Sequence, residues 1–252
     1  MTRRIATLVG ALSFLACAPS ERGGGTPRST LVIGLDISGS FRHNPSFNGA
    51  FEFAAIYIYG HLNGLGGMPR NTAIFVGELG GVRPGQAKVF HPIQDLEGKS
   101  PDQIATDLHA WFPQEDPITD FNAFFQRAAT HVKRNNLVLA PLNVVLFSDG
   151  EPDYPNIRSM PADQKYKRID LSPLEYISRL VTVRLLYASP PIAQLWERQV
   201  PRKRVRLWTQ DADVMRGWRR FVVQGTPMER QDSLWSWVTN VVDVRVRRER
   251  VL

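Results

Sequence analysis

The stretch Thr30 to Ser40, with the sequence TLVIGLDISGS, decides the fold. Its first half is apolar and β-branched, which is typical of a strand buried on both faces of a parallel sheet. Its second half places Asp36, Ser38 and Ser40 at every other position, just where that strand must end. One carboxylate and two hydroxyls are hard oxygen donors of the kind that Mg²⁺ prefers. The stretch therefore predicts a central strand that ends in part of a cation site.

The residues that follow alternate between strand and helix patterns. We expect further strands at 72–79, 87–93, 142–148, 181–187 and 205–208, and helices at 47–62, 101–112, 121–134, 173–180, 192–199 and 213–222. After residue 233 the pattern fits either a helix or a strand. Because strands that alternate with helices favour parallel pairing, we predict one α/β domain over residues 30–252. Its core is a three-layer, open, mostly parallel sheet with helices on both faces, as in Rossmann-like folds.

The first 29 residues have the composition of an export signal followed by a tether. Arg3 and Arg4 precede an apolar run at 5–16 that is too short to span a bilayer as a mature helix, which predicts a signal at 1–18. Residues 14–17, FLAC, resemble a bacterial lipobox with Cys17, the single cysteine, as the lipidated residue. Residues 19–29 are then a flexible tether.

This N-terminus predicts a protein of the bacterial cell envelope that is held to the membrane by a lipid on Cys17. Cleavage at Ala16-Cys17-Ala18, which would release a secreted or periplasmic soluble protein, is one alternative. An uncleaved anchor is the other.

The charged and catalytic residue types point away from several functions. The formal net charge is +7, with basic clusters at 202–206 and 245–250. We interpret both clusters as solvated faces, so no nucleic-acid partner is expected. The five histidines show no zinc-ligand spacing, and we find neither a nucleophile elbow nor a glycine-rich phosphate loop. A non-enzymatic function is therefore expected.

Two later segments add polar side chains to the same edge of the predicted sheet. Asp149 and Gly150 follow the strand at 142–148, and Thr119 lies at the start of the helix at 121–134. In an open parallel sheet, ligands bind beyond the carboxyl ends of the strands. We therefore expect Thr119 and Asp149 to converge with the oxygen donors that follow the first strand.

The series Asp36-x-Ser38-x-Ser40, Thr119 and Asp149-Gly150 resembles the metal-ion-dependent adhesion site of von Willebrand factor A-type (vWA) domains, over most of residues 31–221. The resemblance implies that Ser38 and Ser40 ligate Mg²⁺ or Mn²⁺ directly, and Thr119 directly or through water. Asp36 and Asp149 would then act mainly through coordinated waters. It also implies that the open position of the metal accepts an Asp or Glu carboxylate of a protein partner.

Other interpretations of these residues remain open at this stage. The chain is alternatively a structural subunit of an envelope assembly whose metal site only stabilises the fold, or a metal-dependent phosphoesterase. Asp120, Glu151 and Asp153 lie near the predicted site. We expect helix capping from Asp120 and turn formation from Asp153, rather than metal tuning.

Overall fold

A six-stranded sheet runs through the centre of the computed structural model, which describes residues 29–81 and 88–245. If the strands are numbered along the chain, their order across the sheet is 3-2-1-4-5-6. Among the described strands, only the third runs antiparallel to its neighbour, and the others pair in parallel. The predicted open, mostly parallel sheet is confirmed. The strands in chain order are β1 (Thr30–Asp36), β2 (Ala73–Leu79), β3 (His91–Pro92), β4 (Leu142–Phe147), β5 (Val181–Ala188) and β6 (Arg206–Asp211).

Helices cover both faces of the sheet, as predicted. Alternate residues of β1 point to opposite faces, so Leu31 and Ile33 belong to one apolar core and Val32 to the other. Helices α2, α3, α8 and α9 pack on the first core, and α4, α6 and α7 on the second. The helices are α1 (Gly39–Arg42), α2 (Phe47–Asn63), α3 (Pro101–Trp111), α4 (Phe121–Arg134), α5 (Ala162–Tyr166), α6 (Ser172–Ile177), α7 (Pro190–Gln199), α8 (Ala212–Arg216) and α9 (Asp232–Trp237).

Two predicted strands differ in extent from those of the structure, and two short helices were not predicted. The strand expected at 87–93 is reduced to β3, which forms two pairs with β2, because Pro92 has no N–H to continue the ladder. The two unpredicted helices are the single turn α1 and the short helix α5. The last strand, expected at 205–208, extends instead over β6.

The C-terminal segment is helical, which settles the choice left open after residue 233. α9 continues into a π-helical turn at Val238–Val242. The buried Arg184 of β5 holds the end of this segment, because it donates to the carbonyl oxygens of Val242 at 3.2 Å and Val244 at 2.9 Å. It also pairs with Asp243 at 3.3 Å.

The predicted signal at 1–18 and nearly all of the tether at 19–29 lie outside the described residues, and so does Cys17. Within the part of the chain that the structure describes, no helix is both long enough and apolar enough to cross a membrane.

Candidate metal centre

The carboxyl ends of β1 and β4 lie side by side at one edge of the sheet. The two strands pair in parallel up to Leu35 and Phe147, so Asp36 and Ser148 leave the sheet as neighbours. Asp36 is fully buried. Its Oδ1 accepts a hydrogen bond from the backbone N–H of Ser38 at 2.9 Å, and its Oδ2 accepts one from the Ser148 hydroxyl. Both carboxylate oxygens are therefore held in place.

Ser38, Ser40 and Asp149 extend this cluster toward solvent. Ser38 is the N-cap residue of α1, and its hydroxyl lies 3.2 Å from that of Ser40. The Ser40 hydroxyl lies close enough to the carboxylate of Asp149 to act on its pKa, which it lowers while burial raises it. Asp149 Oδ1 also accepts from the backbone N–H of Glu151 at 3.1 Å. Four of the five predicted ligands thus form one chain of contacts between the ends of β1 and β4.

The two carboxylates face each other without a counter-charge. Burial, and then the charge of Asp149, raise the pKa of Asp36 from 3.8 to about 7. Burial also raises the pKa of Asp149. Neither carboxylate forms an ion pair with a Lys or Arg among residues 29–81 and 88–245. Two close, desolvated carboxylates repel each other unless protons or a cation neutralise them.

The donors of this cluster are all oxygens, which fits Mg²⁺ or Mn²⁺ rather than a soft metal. In the described part of the chain, no group of three or more His, Cys, Asp or Glu side chains is arranged to hold a metal. The cluster differs from a group of that kind because two of its four side chains are serines, which would bind a cation through hydroxyl oxygens. Asp36, Ser38, Ser40 and Asp149 are the residues that would hold the cation.

Thr119 lies in a loop that is bonded to both strand ends. The N–H of Asp116 donates to the carbonyl of Ile37 at 3.1 Å, next to Ser38. Thr119 itself exchanges two backbone hydrogen bonds with Asp153, at 2.9 and 3.0 Å. Its side chain is buried. The backbone thus brings Thr119 to the edge expected from the sequence, and its role as a ligand stays a prediction.

Sequence reasoning missed the residues that hold this loop. Lys88 Nζ pairs with Asp116 Oδ2 at 2.5 Å and with Glu78 Oε1 at 3.2 Å, and its side chain is only 2% exposed. Asp116 Oδ1 accepts from the N–H of Ile118 at 3.0 Å. An Asp-Pro pair in a polar loop is the one sequence signal that pointed to Asp116. Nothing in the local sequence of Lys88 marks it as buried.

The turn after β4 is hydrogen bonded to a side chain of α7. Gly150 has φ +82°, and a Cβ there would lie 2.7 Å from Leu185 Cδ2, so this position requires glycine. The indole N–H of the buried Trp196 donates to the Gly150 carbonyl at 2.8 Å. The Gly150 N–H donates to the Ser148 hydroxyl at 2.9 Å. These bonds orient the turn that presents Asp149.

Two of the three neighbouring acidic residues have structural partners. Asp120 caps α4, because its Oδ1 accepts from the N–H of Ala123 at 2.9 Å, and the capping prediction is confirmed. Asp153 does more than form a turn: it pairs with Arg158 at 2.7 Å in addition to its backbone bonds. Burial raises the pKa of Glu151, and the charge of Asp149 raises it further.

Comparisons with known proteins find only remote similarity. No protein-family model matches the sequence, and no curated protein matches it. Proximal thread matrix protein 1 from the mussel byssus is 12% identical with a TM-score of 0.45, over 84% of this chain and 47% of that one. The pilus adhesin SpaC from Lactobacillus rhamnosus GG, in its open conformation, is 12% identical with a TM-score of 0.46, over 77% of this chain and 29% of that one.

The SpRpn10 VWA domain is 11% identical with a TM-score of 0.43, over 73% of this chain and 88% of that one. This chain spans less than half the length of the mussel and Lactobacillus proteins. At such low identity and TM-score, none of these similarities assigns a family or a function.

Proposed function

We propose that the chain is a vWA-type binding domain of the bacterial cell envelope that holds Mg²⁺ or Mn²⁺ at the cluster of Asp36, Ser38, Ser40 and Asp149, completed by Thr119. The cation captures an Asp or Glu carboxylate of a protein partner. The domain acts by binding, without catalysis. It is exported and is attached to the membrane by a lipid on Cys17.

The observation that carries this proposal is the pair of desolvated carboxylates with hydroxyls between them and no cationic side chain among their described partners. Such a cluster stabilises a divalent cation, and the cation in turn relieves the repulsion between Asp36 and Asp149. A site built only for stability could satisfy these groups with a Lys or Arg, as Lys88 does for Asp116.

The side chains of the site differ in exposure, so one side of the site is open to solvent. Asp36 is fully buried, whereas Ser40 is exposed and Asp149 is partly exposed. A cation held here therefore has the sheet on one side and solvent on the other. An approaching carboxylate meets the solvent side, and hydroxyl ligands leave the cation enough net charge to attract it.

Cation binding is tested by thermal unfolding of the full chain in EDTA and in millimolar Mg²⁺ or Mn²⁺. A ligand that binds only the native state raises the melting temperature. We expect this rise in the wild type and its loss in Asp149→Ala. Asp163→Asn is the matched control, because Asp163 is an exposed acid whose partner is Lys167 at 3.4 Å. An equal response in wild type and Asp149→Ala contradicts the proposal.

Carboxylate capture is tested with Mn²⁺ as the probe. A blocked peptide that contains Asp should displace a Mn²⁺-bound water and lower the water proton relaxation enhancement, whereas the matching Asn peptide should not. If Mn²⁺ stabilises the fold and neither peptide acts, the cation is purely structural. Hydrolysis of p-nitrophenyl phosphate that is lost on chelation would instead support a phosphoesterase.

Attachment to the membrane has its own test, which does not depend on the metal. Cells that express the full chain are labelled with a radioactive fatty acid, and label on the wild type but not on Cys17→Ser supports the lipid anchor. Label on neither protein favours secretion or an uncleaved segment.

A further inference from the structure

The edge of the sheet opposite the metal centre carries an exposed apolar patch. Among the described residues seven large hydrophobic side chains are exposed, and four of them lie here. Leu139 is 72% exposed and Tyr176 is 85% exposed. The loop before β4, which carries Leu139, is bonded to the end of α6, which carries Tyr176, since the N–H of Leu139 donates to the carbonyl of Ile177 at 2.8 Å. We define the apolar patch as Val138, Leu139, Tyr176 and Leu180.

Leu139 combines an exposed apolar side chain with a strained backbone conformation. Its φ is +72°, in the left-handed region that non-glycine residues rarely adopt. Glycine or asparagine would relieve the strain, and a polar residue would remove the exposed apolar surface. The Leu139 side chain is mostly in water, so it adds little apolar burial to the folded monomer. The patch is therefore best explained by something that covers it.

Positive side chains surround the patch. Lys133 and Arg134 end α4, Arg179 lies between the two apolar positions of its own loop, and Lys203 precedes β6. All four are exposed, and none of the four side chains forms an ion pair with another described residue. The adjacent acid, Glu175, accepts hydrogen bonds from the backbone N–H groups of residues 203–205, and its single negative charge stands against four positive ones.

The N-terminal segment enters the domain at this edge. The N–H of Thr30 donates to the carbonyl of Pro141 at 2.9 Å, two residues from Leu139. In the sequence, the apolar run at 5–16 and Cys17 precede this point. Eleven residues lie between Cys17 and Ser29, so the two positions are at most about 43 Å apart when the chain is extended. Whatever holds the apolar run lies within reach of the patch.

We propose that the apolar patch and its basic rim dock on the surface of a bilayer that contains anionic lipids. Leu139 and Leu180 enter the interface, Tyr176 lies at headgroup depth, and the Lys and Arg side chains bind the lipid phosphates. A second copy of this chain is a poorer occupant. A two-fold dimer would place the patch against itself and bring like-charged rims together.

The experiment measures binding of the full chain to vesicles, in a Cys17→Ser background that removes the native thiol. Vesicles of phosphatidylcholine with one-third phosphatidylglycerol are compared with vesicles of phosphatidylcholine alone. The apolar run at 5–16 is common to all variants, so ratios between variants isolate the patch. The variants are Arg134→Gln/Arg179→Gln for the rim and Leu139→Gly for the patch. Glycine suits the φ of position 139, so this variant keeps the fold.

We expect the double rim variant to bind the anionic vesicles about 25-fold more weakly at low salt, at about fivefold for each charge lost near the surface. Leu139→Gly should also weaken binding. Val214→Ser and Arg220→Gln, both exposed and outside the patch, should leave it unchanged. An environment-sensitive dye on Leu180→Cys should be quenched by brominated lipid, and a dye on Val214→Cys should not.

Several results would overturn the proposal. They are equal binding of the rim variant and the parent, salt-independent binding to both kinds of vesicle, and equal quenching at positions 180 and 214. Sedimentation analysis supplies one more. A dimer of the parent that Tyr176→Ser dissociates would identify a second copy, rather than the bilayer, as the occupant of the patch.

Discussion

The buried carboxyl group of Asp36 predicts an unusual pH dependence for the metal-free protein. Burial and Asp149 raise its pKa from 3.8 to about 7, so the native state binds a proton here more tightly than the unfolded chain does. The stabilisation is complete below about pH 4 and is lost as the pH rises to about 7. At 1.36 kcal/mol per pH unit, this loss amounts to about 4 kcal/mol.

The assay is urea unfolding in EDTA at a series of pH values, for the wild type and Asp36→Asn. We expect the free energy of unfolding of the wild type to fall by about 4 kcal/mol relative to Asp36→Asn between about pH 4 and pH 7. Burial lowers the pKa of His61, which makes stability rise with pH instead, but this contribution is common to both proteins and cancels. Asp163→Asn, at an exposed ion pair, should follow the wild type.

Mg²⁺ should reverse the loss near neutral pH, because the cation replaces the proton between the two carboxylates. A concentration 100 times the dissociation constant adds about 2.7 kcal/mol of stability. The added stability should shrink as the pH falls, since protons then compete for Asp36, and it should be absent in Asp36→Asn. Parallel pH profiles of wild type and Asp36→Asn in EDTA would refute this reasoning.

Three further substitutions test the packing that supports the site. Gly34→Ala should lower the free energy of unfolding by about 1–3 kcal/mol in urea, because a Cβ would come within 2.8 Å of a core side chain. Trp196→Phe removes the donor to the Gly150 carbonyl; it should cost about 1 kcal/mol in urea unfolding and weaken Mn²⁺ binding measured by calorimetry. Arg184→Ala removes the ion pair to the half-buried Asp243, which keeps its hydrogen bond from the Tyr57 hydroxyl; it should cost about 1.5–3 kcal/mol, read as a drop in melting temperature.

The sequence predicted best where the pattern was local and strong. The apolar run that opens the stretch 30–40 predicted the central strand β1, and the periodicity of 121–134 predicted α4 with its bounds. The convergence of Asp36 with Asp149 also followed, because parallel strands bring their carboxyl ends to one edge. The Asp and Ser residues at these strand ends were enough to expect oxygen ligands at that edge of the sheet.

Features that depend on distant contacts were out of reach. Lys88 and Asp116 pair across 28 positions, and neither segment has a pattern that identifies its partner. The strand expected at 87–93 fits a β pattern, but Pro92 and its position at the edge of the sheet shorten it. The strained Leu139 and the exposed apolar patch were also out of reach, because only the fold brings residues 138–139 beside residues 176–180.

The parallel sheet connects the two proposed surfaces. β1 begins at Thr30, beside the apolar patch, and ends at Asp36, in the metal centre, so the two edges are about 20 Å apart along the strand. Every parallel strand has the same direction, so loops at the amino ends cannot reach the metal edge. A bilayer that held the N-terminal segment and the patch would therefore leave the cation facing away from the membrane. Capture of a partner's carboxylate then needs no second domain to orient the site, and shortening the tether at 19–29 should leave Mn²⁺ binding unchanged.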